Sequence, residues 1–308
     1  SDVYKRQKLN NVNIVFVVKI ICKRAGRYSL LEKILDDSTS VETFSTERKD
    51  YLYLNEQIGN DKNLLKMKVL VIGAGSLGSY VASEMVKNGA TNLKIYDGDK
   101  LEDANICRWA YGGIGRGNNK ASALATLLNF SHPEISVVAI DKNIDEKTLI
   151  KEMSQVDMIV STVGNSDIQL EFNRALKDNG CAVPVIFAWL EAGGAYSHIL
   201  VVNYKKKGCF ECLYTAENGE LTNNRSQKNN ETNMESSIVR NGCGGTRAAY
   251  GTATILRTTA ALMETIGKIQ EGELKESVLL DISSNGVKVS EAKFPMEVCR
   301  CCGCMDEK

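Results

Sequence analysis

Val69–Ile72 is a continuous apolar run of strand length, and it ends directly on Gly73-Ala-Gly75-Ser-Leu-Gly78. Leu77, Val81 and Met85 then recur at helical spacing as far as Lys87. Strand, glycine turn and helix in that order make a nucleotide fingerprint. Gly73 and Gly75 lack the Cβ atoms that would obstruct a phosphate near the helix N-terminus, where unpaired N–H groups favour an anion. A second strand follows from Asn92, and Asp97 ends it, placed to accept hydrogen bonds from a ribose hydroxyl pair.

Those features alone would suit an NAD-dependent oxidoreductase. The residues after Asp97 argue against one. Asp97-Gly-Asp99 leads to Asn105-Ile-Cys-Arg108, then to Gly115-Arg-Gly117, and Lys120 opens an apolar helix. A carboxamide and two cations soon after the acid suit a triphosphate better than the pyrophosphate of NAD. Arg108 can fork onto phosphate oxygens, and Lys120 supplies a point charge.

The run Gly-x-Gly-x-x-Gly, Asp-x-Asp, Asn-x-x-Arg and a later Lys resembles the ThiF/MoeB/HesA superfamily of adenylating enzymes, and the likeness extends from about Lys66 to the C-terminus. The resemblance implies ATP with Mg²⁺ and adenylation of the C-terminal glycine of a ubiquitin-like or sulfur-carrier β-grasp protein. It implies a nucleotide site of Gly73, Gly75, Gly78, Asp97, Asp99, Asn105, Arg108 and Lys120, with Asp97 on the ribose and Asn105 on a phosphate. Arg48 matches an arginine that reaches the phosphates, often those of a partner subunit. Relatives often carry an Asp for Mg²⁺ just after the strand ending near Thr162; here Thr162-Val-Gly-Asn165-Ser-Asp167 lacks it in register. Asn165 or Asp167 is the substitute, or Asp167 caps the next helix. Phe187-Ala-Trp-Leu-Glu-Ala-Gly-Gly194 resembles the bacterial ubiquitin-system branch. A homodimer and a conjugating-enzyme partner are further expectations of the resemblance.

Composition narrows the remaining classes. The 38 basic and 38 acidic residues balance, which gives no nucleic-acid or membrane footprint. No run approaches membrane-spanning length, so the expected location is cytoplasmic. Ser1-Asp-Val-Tyr-Lys-Arg-Gln7 looks like a translated sequencing adapter and is set aside. Residues 8–60 are expected to form an N-terminal segment, the end of an upstream domain, with a strand over Val12–Ile21 and helical patterns over Ser29–Leu35 and from Thr46. Residues 61–308 form the adenylating domain. Strand and helix patterns alternate through 137–140, 158–161, 168–176, 183–188 and 196–202, which predicts an α/β fold: a doubly wound, mostly parallel Rossmann-like sheet with helices on both faces. Val278–Ile282 and Val287–Val289 read as a hairpin through Asn285-Gly286.

The cysteines carry the rest. Cys209-Phe-Glu-Cys212 and Cys299-Arg-Cys-Cys302 are two Cys-x-x-Cys pairs, a ligand set for structural Zn²⁺. The sequence leaves Cys301 and Cys304 open as an alternative second pair; the family form favours Cys299 and Cys302. With only His132 and His198 present, a histidine-rich site is excluded. Between the pairs, residues 214–241 are polar and predict a mobile loop. The loop leads to Asn241-Gly-Cys243-Gly-Gly-Thr-Arg247 and a long apolar segment from Ala248 to Ile269. A cysteine at a helix N-terminus beside an arginine favours thiolate. Cys243 also matches the thioester cysteine of relatives that carry their cargo covalently. Two other readings stay open: activation of a sulfur carrier for thiamin or molybdenum cofactor synthesis, and a catalytically silent nucleotide-binding subunit.

Overall fold

The computed structural model describes residues 2–9, 12–21, 40–43, 51–57, 67–132, 134–228, 238–240 and 246–303. The chain separates into two compact units, Ser1–Leu54 and Asn55–Lys308. The first holds a three-stranded antiparallel sheet of β1 (Asp2–Leu9), β2 (Val12–Ile21) and β3 (Ser40–Thr43). β2 is the strand expected there, and β1 contains most of the stretch set aside as adapter. Arg48 and the helical pattern of Ser29–Leu35 lie outside the described residues. A short helix α1 (Tyr51–Glu56) follows.

The second unit is built on an eight-stranded sheet. Its parallel part comprises β4 (Lys68–Ile72), β5 (Asn92–Tyr96), β6 (Ser136–Ile140), β7 (Met158–Ser161) and β8 (Val185–Leu190). The helices between them are α2 (Ser76–Lys87), α3 (Lys120–Ser131), α4 (Glu146–Met153) and α5 (Ser166–Asp178). Chain order runs outward from β4 through β5 to β6, then jumps back to β7 on the other side of β4. The crevice at such a reversal, beyond the carboxyl ends of the strands, is where open α/β sheets bind ligands.

The sheet is less uniformly parallel than the alternation suggested. β9 (Ser197–Val202) pairs antiparallel with β8, and β12 (Val278–Ser283) and β13 (Gly286–Val289) extend the sheet antiparallel beyond it. For β9 the cause is connection length. Residues 191–196 make a tight turn, too short for the crossover of a dozen or more residues that a parallel neighbour requires.

Both faces of the parallel strands are covered, so β4 and β7 read as unbroken apolar runs. On one face Leu70, Ile72, Phe187 and Leu200 pack with Leu149 of α4, Phe172 and Leu176 of α5, and Phe210. On the other, α6 (Thr252–Gln270) lies against α2, β9 and β12. Ser197, which alternates with Leu200 across β9, bonds Thr258 of α6 at 2.6 Å. A separate antiparallel pair, β10 (Ile238–Arg240) and β11 (Thr246–Ala248), precedes α6.

Candidate functional site

The glycine turn between β4 and α2 is fixed by its neighbours. Gly73 sits at φ 96°, a left-handed conformation that side chains other than glycine rarely adopt. A Cβ on Gly78 would stand 2.0 Å from the Gly73 carbonyl oxygen, so the third glycine lets helix and turn touch. Gly75 differs: a Cβ there would meet no protein atom, so its absence leaves room for a ligand. Thr162, at the end of β7, donates to the carbonyls of Ile72 and Gly73 at 3.2 and 3.1 Å. No side chain caps α2, whose N-cap is Gly75, so no capping oxygen takes up its first-turn N–H groups.

Asp97, the acid expected on the ribose, lines the cleft and has one backbone N–H on each carboxylate oxygen. Its Oδ2 accepts from Ala74 N at 2.7 Å and its Oδ1 from Asp99 N at 2.8 Å. Burial pushes its carboxyl above the usual range, against the two backbone N–H bonds that draw it down. Asp97 therefore holds the glycine loop. The exposed acid is Asp99, 69% accessible, whose Oδ2 lies 2.8 Å from Lys120 Nζ. Lys120 is 11% accessible, held at the first turn of α3. Asn119 places it: its Oδ1 caps the helix at Ser122 N, and its Nδ2 donates to the carbonyls of Asp97 and Asp99.

Asp97, Asp99, Lys120 and Thr162 line one cleft of about 350 Å³ at the β4–β7 reversal, together with Gly73, Gly75 and Gly164. Ile144, Val163, Ile168 and Phe172 make its apolar wall. One side of the cleft suits a flat base and the other suits anionic groups.

Four expected residues among those described lie outside its lining: Gly78, which packs α2 onto the turn, and Asn105, Arg108 and Asn165. Asn105 accepts from Glu102 N through Oδ1 and closes a capping box on the 3-10 turn Asp103–Arg108, so the carboxamide oxygen is already used. Arg108 carries its guanidinium over the Tyr250 ring, 5.3 Å from the centroid. Asn165 caps α5, accepting from Asp167 N and Ile168 N; the cap is thus Asn165, and Asp167 stands in the first helical turn. Asn119, Thr162 and Trp109 were not singled out from the sequence. Asn119 did carry a signal, an Asn directly before an apolar helical run.

The four-thiol expectation is met by position. The Sγ atoms of Cys209, Cys212, Cys299 and Cys302 all lie within 4.8 Å of one another. Two measured separations are 3.8 Å for Cys209–Cys299 and 3.3 Å for Cys212–Cys302. Tetrahedral zinc with its usual Zn–S length spaces sulfurs about 3.8 Å apart, so the set fits the ion. Cys301 takes another role, its Sγ accepting from Asn173 Nδ2 at 3.2 Å, while Cys304 lies outside the described residues.

Two expectations about the intervening chain change. The stretch 214–228 is pinned where a mobile loop was expected over 214–241. Asn224 Oδ1 accepts from Ser226 N and Oγ, and Arg225 Nη2 donates to the carbonyls of Cys212 and Lys293. Polar side chains that close local turns need no apolar core. The apolar segment after Arg247 also begins as β11, and the helix starts only at Thr252. Cys243 lies outside the described residues.

A buried polar network crosses the antiparallel half. His198 on β9 is inaccessible; its Nε2 meets Glu191 Oε1 at 2.7 Å and its Nδ1 meets Asp281 Oδ1 at 2.9 Å. Trp189 stacks on the imidazole. Lys228 closes the set, its Nζ 3.1 Å from Asp281 Oδ2 and its backbone N–H donating to Glu191 Oε1. Burial pushes His198 down, but the bonds to Asp281 and Glu191 outweigh it and leave the net shift upward.

Known proteins were compared with this geometry. Ubiquitin-like modifier-activating enzyme 5 of Aedes aegypti is 28% identical over 176 residues, 51% of this chain and 43% of the relative. An uncharacterised protein of Sinorhizobium fredii is 26% identical over 185 residues, 56% and 31% of the two chains. The chain spans less than half the length of these curated relatives. Among solved structures, E. coli MccB with selenomethionyl MccA superposes with a TM-score of 0.60 at 19% identity, covering 82% of this chain and 69% of that one. PaaA gives 0.54 at 16%, covering 78% and 67%. These likenesses are of fold. The ThiF family profile matches residues 53–301, a span that holds the glycine turn, Asp99, Lys120 and three of the four clustered thiols, with Cys302 the next residue beyond it, and the chain belongs to the ThiF family.

Proposed function

We propose that the chain uses ATP to adenylate a carboxylate, the C-terminal glycine of a ubiquitin-like protein, and then carries the acyl group as a thioester on Cys243. The observation that carries this reading is the cleft at the β4–β7 reversal, where the glycine turn, Asp99 and Lys120 face an apolar wall. Support also comes from the likeness to ubiquitin-like modifier-activating enzymes and to MccB, which has been solved with ATP.

In this reading the base lies against Phe172 and Ile168, and Asp99 rather than Asp97 receives the ribose. The α2 amides and Lys120 take the phosphates. A carboxylate and a triphosphate repel each other, so the cations lower the barrier by neutralising charge as the carboxylate oxygen attacks the α-phosphorus. The new P–O bond forms as the bond to pyrophosphate breaks, giving an acyl adenylate. Arg108, resting on Tyr250, swings onto the departing phosphates, and Arg48 adds a further cation. The Cys243 thiol then loses its proton to solvent and attacks the acyl carbon, and AMP leaves.

Mg²⁺ would enter on the ATP phosphates, which often supply much of its coordination. The cleft offers it one exposed carboxylate, Asp99. Asp97 is spent on backbone N–H groups, and the stretch Thr162-Val-Gly164 that follows β7 brings no acid to the cleft. Four thiolates at Cys209, Cys212, Cys299 and Cys302 would hold structural Zn²⁺.

Gly164 also favours a second reading, a nucleotide-binding subunit that does not itself adenylate. Intact mass after mixing the chain with MgATP and a ubiquitin-fold protein encoded nearby separates the two. A reductant-labile adduct, absent in Cys243→Ala, supports the thioester. An adenylated partner without an adduct points to sulfur-carrier activation. ATP binding with neither product, across such partners, supports the silent subunit.

A further inference from the structure

Trp109 follows Arg108 directly and is 2% exposed. Its Nε1–H donates to the carbonyl of Ala74, the middle residue of the glycine turn, at 2.9 Å. Asp97 holds the N–H of the same residue. The Ala74 nitrogen belongs to the peptide linking it to Gly73, and its oxygen to the peptide linking it to Gly75. Two consecutive peptide planes are therefore fixed, one by Asp97 and one by Trp109. In a planar trans peptide the N–H points opposite to the C=O. Drawing the Ala74 oxygen toward Trp109 thus aims the Gly75 N–H the other way, and Gly75 lines the cleft.

Trp109 is anchored in turn to α2. Its ring meets Tyr111 edge-on at 6.0 Å, Ser83 Oγ donates to Tyr111 Oη at 3.3 Å, and Ala110 N donates to Ser79 Oγ at 3.1 Å. The segment that carries Arg108 is therefore fastened to both the turn and the helix that would meet the phosphates.

We infer that Trp109 is a positioning residue for the nucleotide, orienting the Gly75 amide and fixing the root of Arg108. This rests on the nucleotide reading of the cleft. Trp109→Phe keeps an aromatic ring and deletes the N–H. Tyr204→Phe is the control, since it removes another buried side-chain hydrogen bond, to Asn173 Oδ1, outside the cleft. The expected result is that Trp109→Phe weakens MgATP binding roughly fivefold to tenfold, the order for one lost hydrogen bond. Tyr204→Phe, with a comparable fall in Tm, should bind as wild type. Equal ATP affinity in Trp109→Phe and wild type would overturn the inference, as would an equal loss in both variants. Hydrogen exchange of the 73–78 segment, read without nucleotide, should accelerate in Trp109→Phe; unchanged protection would also overturn it. Failure of wild type to bind ATP would sink the nucleotide reading, while exchange would still decide the clamp.

Discussion

The parallel half of the large sheet and its antiparallel half use polar side chains in opposite ways. Around the glycine turn they are spent on backbone: Asp97 on two N–H groups, Thr162 and Trp109 on carbonyls, Asn119 on a cap and two carbonyls. That scaffolding frees the α2 amides, Asp99 and Lys120 for a ligand. Beyond β8 the polar groups are spent on one another. Glu191, His198, Asp281 and Lys228 bond one another, and four thiols gather from two sequence-distant pairs. One half is built to receive charge, the other to cancel its own.

If this contrast is right, metal should matter most to the second half. Cys212→Ser, or strong chelation, is expected to lower Tm by more than about 10 °C, as loss of a structural zinc site does. Metal analysis of wild type should find one zinc per chain. No bound metal, with unchanged melting in the variant, would break the assignment.

The histidine network should give the next largest effect. His198→Gln removes the imidazolium from between Glu191 and Asp281, leaving Lys228 on Asp281, and is expected to cost about 3 kcal/mol in urea unfolding. The sign of its pH dependence follows from its raised folded value. The contribution of His198 is fully present below its ordinary 6.5 and fades as pH rises through the higher folded value. For Asp281, burial pushes the carboxyl up, but its bonds to His198 and Ser290 and the His198 charge leave it lowered. Its contribution is present above the ordinary 3.8 and lost as pH falls through the lower folded value. Wild type should thus lose stability on the alkaline side of 6.5 by a slope that His198→Gln lacks. Parallel pH curves for the two proteins would contradict the network.

The smallest effect sharpens the first half. A Cβ on Gly164 would meet no protein atom, so Gly164→Asp should fold normally. It should lower the Mg²⁺ concentration needed for half-maximal ATP binding by about threefold to tenfold, as an added oxygen ligand does. An unchanged Mg²⁺ requirement would show that residue 164 does not face the metal.

Much of the first half was legible in the sequence because its signals are local. The run from Val69 to Gly78, the acid pair, and Lys120 opening a helix each depend on neighbours in the chain. The hairpin of β12 and β13 was legible for the same reason, through its Asn-Gly turn. Direction was not: an apolar run such as Ser197–Val202 has the same pattern whichever way it pairs, and only the short turn before it decides. The segment expected from Ala248 becomes helical only at Thr252, because Ala248 is paired with Ile238 of β10. His198 could not be read at all, since Asp281 reaches it only through the β9–β12 register. The backbone bonds of Asp97 could not be read either, because its place in the motif says nothing of which N–H groups meet its oxygens.

The most direct test of the cleft is equilibrium binding of MgATP and of NAD to wild type and to Lys120→Ala. The account predicts that wild type binds MgATP and not NAD, and that the variant binds MgATP roughly tenfold to hundredfold more weakly, the range for a lost charged hydrogen bond. Binding of NAD without ATP, or equal ATP affinity in Lys120→Ala, would contradict it.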